Sequence, residues 1–254
     1  MRYLVALLLI FSSFIAQAGT INPRAGDEKY IEYGKKHECV VKISGEGKDN
    51  KRFFGSAVIF KPRWFLTAAH VVKDAKNCII LHEETPVKVD YIAVHSDYKE
   101  DNFGKYDIAL GYLSEECNID FYPQLYTGDD EVGKICSISG YGITGSFYGD
   151  ERFSDNKKRA GSNIVTSLDR DLLICTLKDK HTSLEFLICW GDSGGGLFID
   201  KKLAGINSCT MTDDKNVNSD IGDESGHTRV SLFVDWIERA MKAVEESARI
   251  VDDK

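Results

Sequence analysis

The sequence predicts an all-β fold, a barrel or a sandwich, closed by a single C-terminal helix. Three observations predict it. Most of the chain consists of short apolar or alternating runs divided by Gly, Asp, Asn and Lys, and runs of that length rich in β-branched residues are strands joined by turns. The regular alternation of strand and helix that a parallel sheet requires is absent. Only one segment, from Leu232 onward, carries a sustained helical period.

In chain order, the N-terminus comes first. Arg2 precedes an apolar run, Tyr3–Ile15, and Ala16-Gln17-Ala18 supplies a small–x–small pattern, so residues 1–18 are expected to be a cleaved export signal. The run is shorter than the roughly 20 apolar residues of a spanning helix, and no comparable run comes after it. The mature protein is therefore expected to be secreted or periplasmic, with no membrane span. Residues 19–38 form an N-terminal segment, expected to be in part a propeptide. The strand candidates are Cys39–Ile43, Ser56–Phe60, Lys88–Val94, Ile108–Leu113, Ile135–Ser139, Leu172–Leu177, Gly196–Ile199 and Leu203–Ile206. Two polar stretches, Gly145–Ser162 and Thr212–Ser225, are expected to be solvated loops. In 232–250, Val234, Ile237, Met241 and Val244 recur at three- and four-residue steps between charged residues, the pattern of an amphipathic helix packed on the body of the protein.

The net charge is −8, and the leader would remove only Arg2, a positive charge. An acidic surface argues against nucleic acid and anionic membranes as partners. The seven cysteines, Cys39, Cys78, Cys117, Cys136, Cys175, Cys189 and Cys209, all lie beyond the leader. Disulfides are permitted there, and the odd number leaves at least one thiol over. Their spacing matches no zinc site, and neither metal nor cofactor is expected.

Three islands carry chemistry. Thr67-Ala68-Ala69-His70 supplies a base, Tyr106-Asp107-Ile108-Ala109-Leu110 a carboxylate, and Gly191-Asp192-Ser193-Gly194-Gly195-Gly196 a hydroxyl in a glycine-rich turn. Taken singly, such a histidine is usually packed in a core, such an aspartate belongs to a turn, and such a Gly-Ser string is a loop. Together they provide what acyl transfer needs: a nucleophile (Ser193), a base (His70), an orienting acid (Asp107, with Asp101 a weaker alternative) and backbone donors. The Gly191-x-Ser193-x-Gly195 spelling also fits the α/β-hydrolase nucleophile elbow, but that fold orders its triad Ser, acid, His, and the order here is His, Asp, Ser.

That order and those flanks resemble the chymotrypsin-like (trypsin-fold) serine proteases. Phe54–Ile59, Trp64–His70, Ile138–Gly142, Leu203–Ser208, Gly226–Val230 and Val234–Ile237 extend the likeness from about Cys39 to Trp236. The resemblance implies two six-stranded antiparallel β-barrels, residues 39–128 and 129–231, with the active site between them. It implies a secreted serine endopeptidase with His70, Asp107 and Ser193 as its triad and the N–H groups of Gly191 and Ser193 as its oxyanion hole. Peptides or proteins are then the substrates and protein inhibitors the further partners. The absence of an Asn-x-Ser/Thr site suggests a bacterial source. The rival functions are a catalytically silent homologue that binds protein partners, and an esterase.

The sequence departs from the family in several places. Phe53 and Val71 stand where cysteines usually bracket the catalytic histidine; Ile199 replaces the usual partner of Cys136, and Cys209 falls earlier than the expected partner of Cys189. Counting back from Ser193 puts the floor of the specificity pocket at Leu187, with Ile188 beside it and Ser208, Thr210 and Ser225 opposite. An apolar floor suggests a small or medium aliphatic residue at the cleaved bond; Asp223 or Glu224 entering the pocket would favour a basic one. The family's zymogens become active when a new N-terminal amine pairs with the aspartate before the nucleophile, here Asp192. No Ile-Val-Gly-Gly start is visible. Either a cut near Arg24 supplies the amine, Ile21 being a poorer start, or another group satisfies Asp192.

Overall fold

The computed structural model describes residues 19–102, 104–149, 151–177, 182–212, 216 and 218–252, and the expected leader, residues 1–18, lies outside them. The chain enters through strand β1 (Thr20–Ile21) and helix α1 (Asp27–Lys35). Strands β2 (Val40–Glu46), β3 (Arg52–Lys61), β4 (Trp64–Thr67), β5 (Asn77–His82), β6 (Thr85–Val94) and β7 (Ala109–Leu113) close a barrel in the order β2-β3-β4-β7-β6-β5. A one-turn helix, α2 (Ala69–Val72), comes after β4.

The second half supplies β8 (Ile135–Gly140), β9 (Thr144–Ser146), β10 (Arg152–Phe153), β11 (Arg159–Asp169), β12 (Leu172–Thr176), β13 (Phe186–Leu187), β14 (Gly196–Ile199), β15 (Lys202–Met211) and β16 (Glu224–Arg229). Six of these form a second closed antiparallel barrel, β11-β12-β16-β15-β14-β8. A small sheet, β10-β9-β1-β13, flanks it, with β1 antiparallel to β13 and parallel to β9. Helix α3 (Val234–Asp252) ends the described chain.

The strands alternate as pleating requires, but both faces find apolar partners. Val41, Ile43, Ala57, Ile59 and Phe65 fill the first barrel. Their neighbours Val40, Val58 and Leu66 point the other way, into a seam with Phe198, Leu203 and Ile206 of the second barrel. Helix α3 lays Ile237, Met241 and Val244 on this same seam. Burial on both faces explains why Ser56–Phe60 is a continuous buried run rather than an alternating one.

Four features of the structure bear on the sequence expectations. First, Gly145–Ser162 is not one solvated loop: it holds β10 and the start of β11, and Arg159 within it is fully buried. Its guanidinium bridges Asp27 (Nε–Oδ1 2.6 Å, Nη2–Oδ2 2.7 Å) and Asp155 (Nη1–Oδ1 2.9 Å), so charge in the sequence there marks a core ion pair. Second, in Thr212–Ser225 Asp223 is buried, its Oδ2 accepting the Ser219 N–H at 2.7 Å, and Glu224 and Ser225 begin β16. Residues 213–215 and 217 of that stretch lie outside the described residues. Third, residues 19–38 contain a docked helix, α1, which Asp27 anchors to Arg159. Fourth, all seven cysteines are thiols. The Sγ atoms of Cys136 and Cys175 lie 3.8 Å apart, beyond the roughly 2.05 Å of a disulfide bond.

Candidate active site

Strand β4 delivers the chain into α2, whose first turn carries His70. N–H groups in a helix's first turn lack intrahelical acceptors, and Asp107 takes one of them: the His70 N–H donates to Asp107 Oδ1 at 2.8 Å. The pairing of Thr67 with Ala109 brings the end of β4 beside the start of β7, which places Asp107 under the imidazole. His70 Nδ1 lies 2.7 Å from Asp107 Oδ2. The carboxylate also accepts the Ser208 hydroxyl at 2.6 Å, and Thr228 Oγ1 donates to the Asp107 carbonyl at 3.0 Å. Burial pushes the Asp107 carboxyl upward, but the hydrogen bonds and charge of His70, with the Ser208 bond, outweigh it and hold the group below its ordinary range. The preceding Tyr106 adopts a left-handed φ of 54°, uncommon for a bulky residue, and its ring stacks on His95 at 5.1 Å.

Ser193 sits on the loop between β13 and β14. Gly194 after it has φ 84°, and a Cβ there would lie 2.1 Å from the Ser56 carbonyl oxygen and from Thr67 Oγ1, so this turn can be spelled only with glycine. The loop is fastened to the first barrel by Ser56: its N–H donates to the Ser193 carbonyl (2.8 Å) and its hydroxyl to the Gly191 carbonyl (3.0 Å). Among the described residues the N–H groups of Gly191 and Ser193 find no acceptor within the protein. His70 and Ser193 line one cavity of about 420 Å³, but no hydrogen bond joins His70 Nε2 to the Ser193 hydroxyl among the described residues.

Beneath the loop, Asp192 is completely buried. Its Oδ1 accepts the Gly142 N–H at 2.9 Å, and its Oδ2 accepts those of Cys189 and Gly19 at 2.9 and 2.8 Å. Burial raises its pKa to about 7, against the pull of these donors and of Arg159.

The pocket expectations divide. Ile188, Ser208 and Thr210 line the cavity with Cys189, Cys209 and the exposed Trp190 and Phe54. Leu187 does not: it pairs with Thr20 and packs with Phe147 and Leu177 in a separate apolar cluster. One residue decides this, because neighbouring strand residues face opposite ways. Ser225 is buried behind the wall, where its hydroxyl accepts the Ile188 N–H at 2.9 Å. Ser208 reaches the cavity but turns its hydroxyl to Asp107, at a register shift of β15 between Asn207 and Cys209. Asp223 and Glu224 are not among the lining residues.

Sequence reasoning missed Ser56, Ser208 as a partner of Asp107, and Gly19. Only Gly19 left a usable signal, as the first residue beyond the small–x–small pattern.

Comparisons with known proteins agree with this architecture. The family model described as Trypsin matches residues 29–237. A chymotrypsin of Phaedon cochleariae is 25% identical over 207 residues, covering 72% of this chain and 70% of that protein. Trypsin Tyr p 3.0101 of Tyrophagus putrescentiae is 29% identical over 227 residues, 75% of this chain and 73% of that protein. Alpha- and beta-fibrinogenase OhS1 of Ophiophagus hannah is 25% identical, covering 73% and 76%. Among solved structures, HL collagenase superposes with a TM-score of 0.68 at 20% identity, over 81% of this chain and 94% of that one. Mouse neuropsin superposes with a TM-score of 0.64 at 20% identity, over 82% and 96%. The three relatives come from an insect, a mite and a snake, which gives no support to a bacterial source or a periplasmic destination. No described helix is long and apolar enough to cross a membrane.

Proposed function

Because the chain belongs to the trypsin family of serine endopeptidases, we propose that it is an exported protease that cuts peptide bonds through an acyl-enzyme on Ser193. The observation that carries this reading is the Asp107–His70 pair at 2.7 Å in the same cavity as Ser193. A carboxylate that accepts the Nδ1 proton fixes the tautomer in which Nε2 is a base. His70 then takes the Ser193 proton as the hydroxyl attacks the carbonyl carbon, and returns it to the leaving amine. Water repeats the sequence to release the acyl group. The N–H groups of Gly191 and Ser193, without acceptors among the described residues, receive the oxyanion, and each such donor lowers the barrier by about 2.7–4 kcal/mol. The hydrogen bond between serine and histidine commonly tightens only with substrate in place, which accounts for its absence here. The chemistry draws on no metal or cofactor.

The named relatives, a chymotrypsin, a trypsin and a fibrinogenase, support peptide or protein substrates over ester substrates or a purely binding role. Protein inhibitors that fill the same cleft are the further partners. None of the described lining residues is acidic, and Ile188 is among them, so a small or medium aliphatic residue is the proposed preference at the cleaved bond. A fluorophosphonate probe tests the chemistry. It is expected to label the secreted protein and not the Ser193→Ala variant; no labelling of correctly processed protein would overturn the reading in favour of a silent binder. A fluorogenic peptide panel tests the pocket, and turnover of Arg above Val and Ala would overturn the aliphatic assignment.

A further inference from the structure

We propose that the Ala18–Gly19 bond is the activating cut: leader removal itself frees the amine that Asp192 receives, and no propeptide intervenes. The inference rests on the hydrolytic reading above and on the export reading of residues 1–18. Four observations carry it.

The first is the atom at the carboxylate. Gly19 N is 2.8 Å from Asp192 Oδ2, at a site of zero exposure. The other two donors, Gly142 and Cys189, are also backbone amides. Arg159 influences the site, but its guanidinium is already forked between Asp27 and Asp155. A buried carboxylate held only by neutral donors is costly to ionise, and burial accordingly raises its pKa to about 7. Gly19 N is the one donor of the three whose charge changes when the bond on its N-terminal side is hydrolysed.

The second is fit. A Cβ at position 19 would lie 2.0 Å from Cζ of Phe186. The new first residue must therefore be glycine, and the residue directly after Ala16-Gln17-Ala18 is a glycine.

The third is register. Thr20 pairs with both Leu187 and Gly145, and its hydroxyl donates to the Ser219 carbonyl at 2.5 Å. Ser219 Oγ in turn donates to the Ile188 carbonyl at 2.8 Å, in the cavity wall. Strand β1 thus holds the amine in place and couples the same segment to the substrate cavity.

The fourth is reach. A start at Ile21 would sit roughly 7 Å of extended chain from the carboxylate, and one at Ala25 roughly 20 Å. A cut after Arg24 would release β1 rather than deliver an amine, because α1 behind it is pinned by Asp27 to Arg159.

The step is an ordinary hydrolysis by an export endopeptidase that favours small residues on the leader side of the cut. Water adds to the Ala18 carbonyl carbon and the C–N bond breaks. Ala18 leaves as a carboxylate, and Gly19 N keeps the electron pair and becomes an ammonium. A hydrogen bond from an amide is replaced by an ion pair at the same atoms.

The test uses the full chain, expressed with its leader and secreted. Mass spectrometry is expected to find Gly19 as the first residue of protein that fluorophosphonate labels without further proteolysis. A second form carries one extra alanine between Ala18 and Gly19, so that leader removal leaves the amine about 3.8 Å out of register. Its labelling rate is expected to fall about a hundredfold, about 2.7 kcal/mol in the barrier, and its melting temperature to fall with it. Active enzyme that starts at Ala25, or an insertion form that labels and melts like the parent, would overturn the proposal and leave the protease reading intact. A lower melting temperature for the insertion form, with neither form labelled, would establish the ion pair, sink the protease reading, and overturn the claim that the pair activates an enzyme.

Discussion

The two barrels share a strand plan and differ in what fills them. The first closes around aliphatic and aromatic side chains, with Ile43, Ile59, Phe65 and Ile80 all inaccessible, and Asp107 is its one buried carboxylate among the described residues. The second encloses or abuts Arg159, Asp192, Asn207, His227, Ser139 and Thr228, all at zero exposure. Apolar burial is non-directional and tolerant, whereas each buried polar group must find a partner or carry a penalty of about 1–3 kcal/mol. The first barrel is therefore a rigid frame that presents one charge. The second holds a polar network, satisfied at most of its atoms though not at His227 Nε2, whose register fixes the Ser193 loop. Asn207 is its hub: Nδ2 donates to the carbonyls of Ser139 and Asp192, both at 3.1 Å, and Oδ1 accepts from His227 Nδ1 at 2.9 Å.

The largest effect tests the single charge of the first barrel. Asp107→Asn is expected to lower kcat/KM about 10⁴-fold at neutral pH, measured on the best peptide of the substrate panel, because an amide neither fixes the right tautomer nor stabilises the imidazolium. Retained activity would mean that this charge is structural only. The next tests the frame itself. The end of the Phe65 ring covers Gly111 of the paired strand, where a Cβ would be 2.0 Å from Cζ of the ring. Phe65→Ala is expected to cost about 3–5 kcal/mol in urea unfolding, with turnover per folded molecule nearly unchanged.

This contrast also explains what could be read beforehand. The first barrel's strands are apolar runs, and the sequence marks most of them: Ile108–Leu113 falls on β7 within one residue, and Ser56–Phe60 on the buried half of β3. Strand β11 is hidden because its first residue is Arg159, a charge that looks solvated until Asp27 and Asp155 are brought to it from elsewhere in the chain. Helix α1 is hidden because its buried face is short, Tyr30 and Ile31, and its anchoring ion pair is completed by a residue far along the chain. His70, Asp107 and Ser193 stand out as a candidate set because apolar runs flank the first two and a glycine-rich turn holds the third. Counting misplaces Leu187 because pocket membership turns on which face of a two-residue strand looks outward, and one position reverses it.

A smaller effect probes the hub. Asn207→Ala takes the acceptor from the His227 Nδ1 proton and removes the side-chain donor from the Ser139 and Asp192 carbonyls, the latter keeping the Gly195 N–H at 2.8 Å, at about 1–3 kcal/mol for a group left buried without a partner. Unlike Phe65→Ala, it is expected to reduce activity as well as stability, because the lost Nδ2–H also holds the Asp192 carbonyl, one residue before Ser193. A loss of stability with full turnover per folded molecule would place the loop's register under other control.

The smallest effect is a slope with pH, and it separates the barrels most finely. His227 is fully buried, and burial lowers its pKa from 6.5 to about 3. Between those values the unfolded chain holds a proton that the native state refuses, so this residue makes stability fall as pH drops from 6.5 toward 3. Asp192 runs the other way: its pKa is raised from 3.8 to about 7, so its contribution is full below 3.8 and is lost as pH rises toward 7. While Gly19 N is an amide the two slopes oppose each other across most of that window. His227→Gln removes the first and leaves the second, so in leader-bearing protein its stability is expected to fall with rising pH, by at most about 1.4 kcal/mol per pH unit. In leader-free protein the Gly19 ammonium keeps Asp192 ionised, so the native parent is expected to lose stability on acidification below 6.5 and His227→Gln to lose less. Asp107, held below its ordinary value of 3.8, loses its contribution only at lower pH and does not blur the comparison. Urea unfolding at intervals across the window reads these slopes, and identical slopes in parent and His227→Gln would assign the titration to groups other than His227.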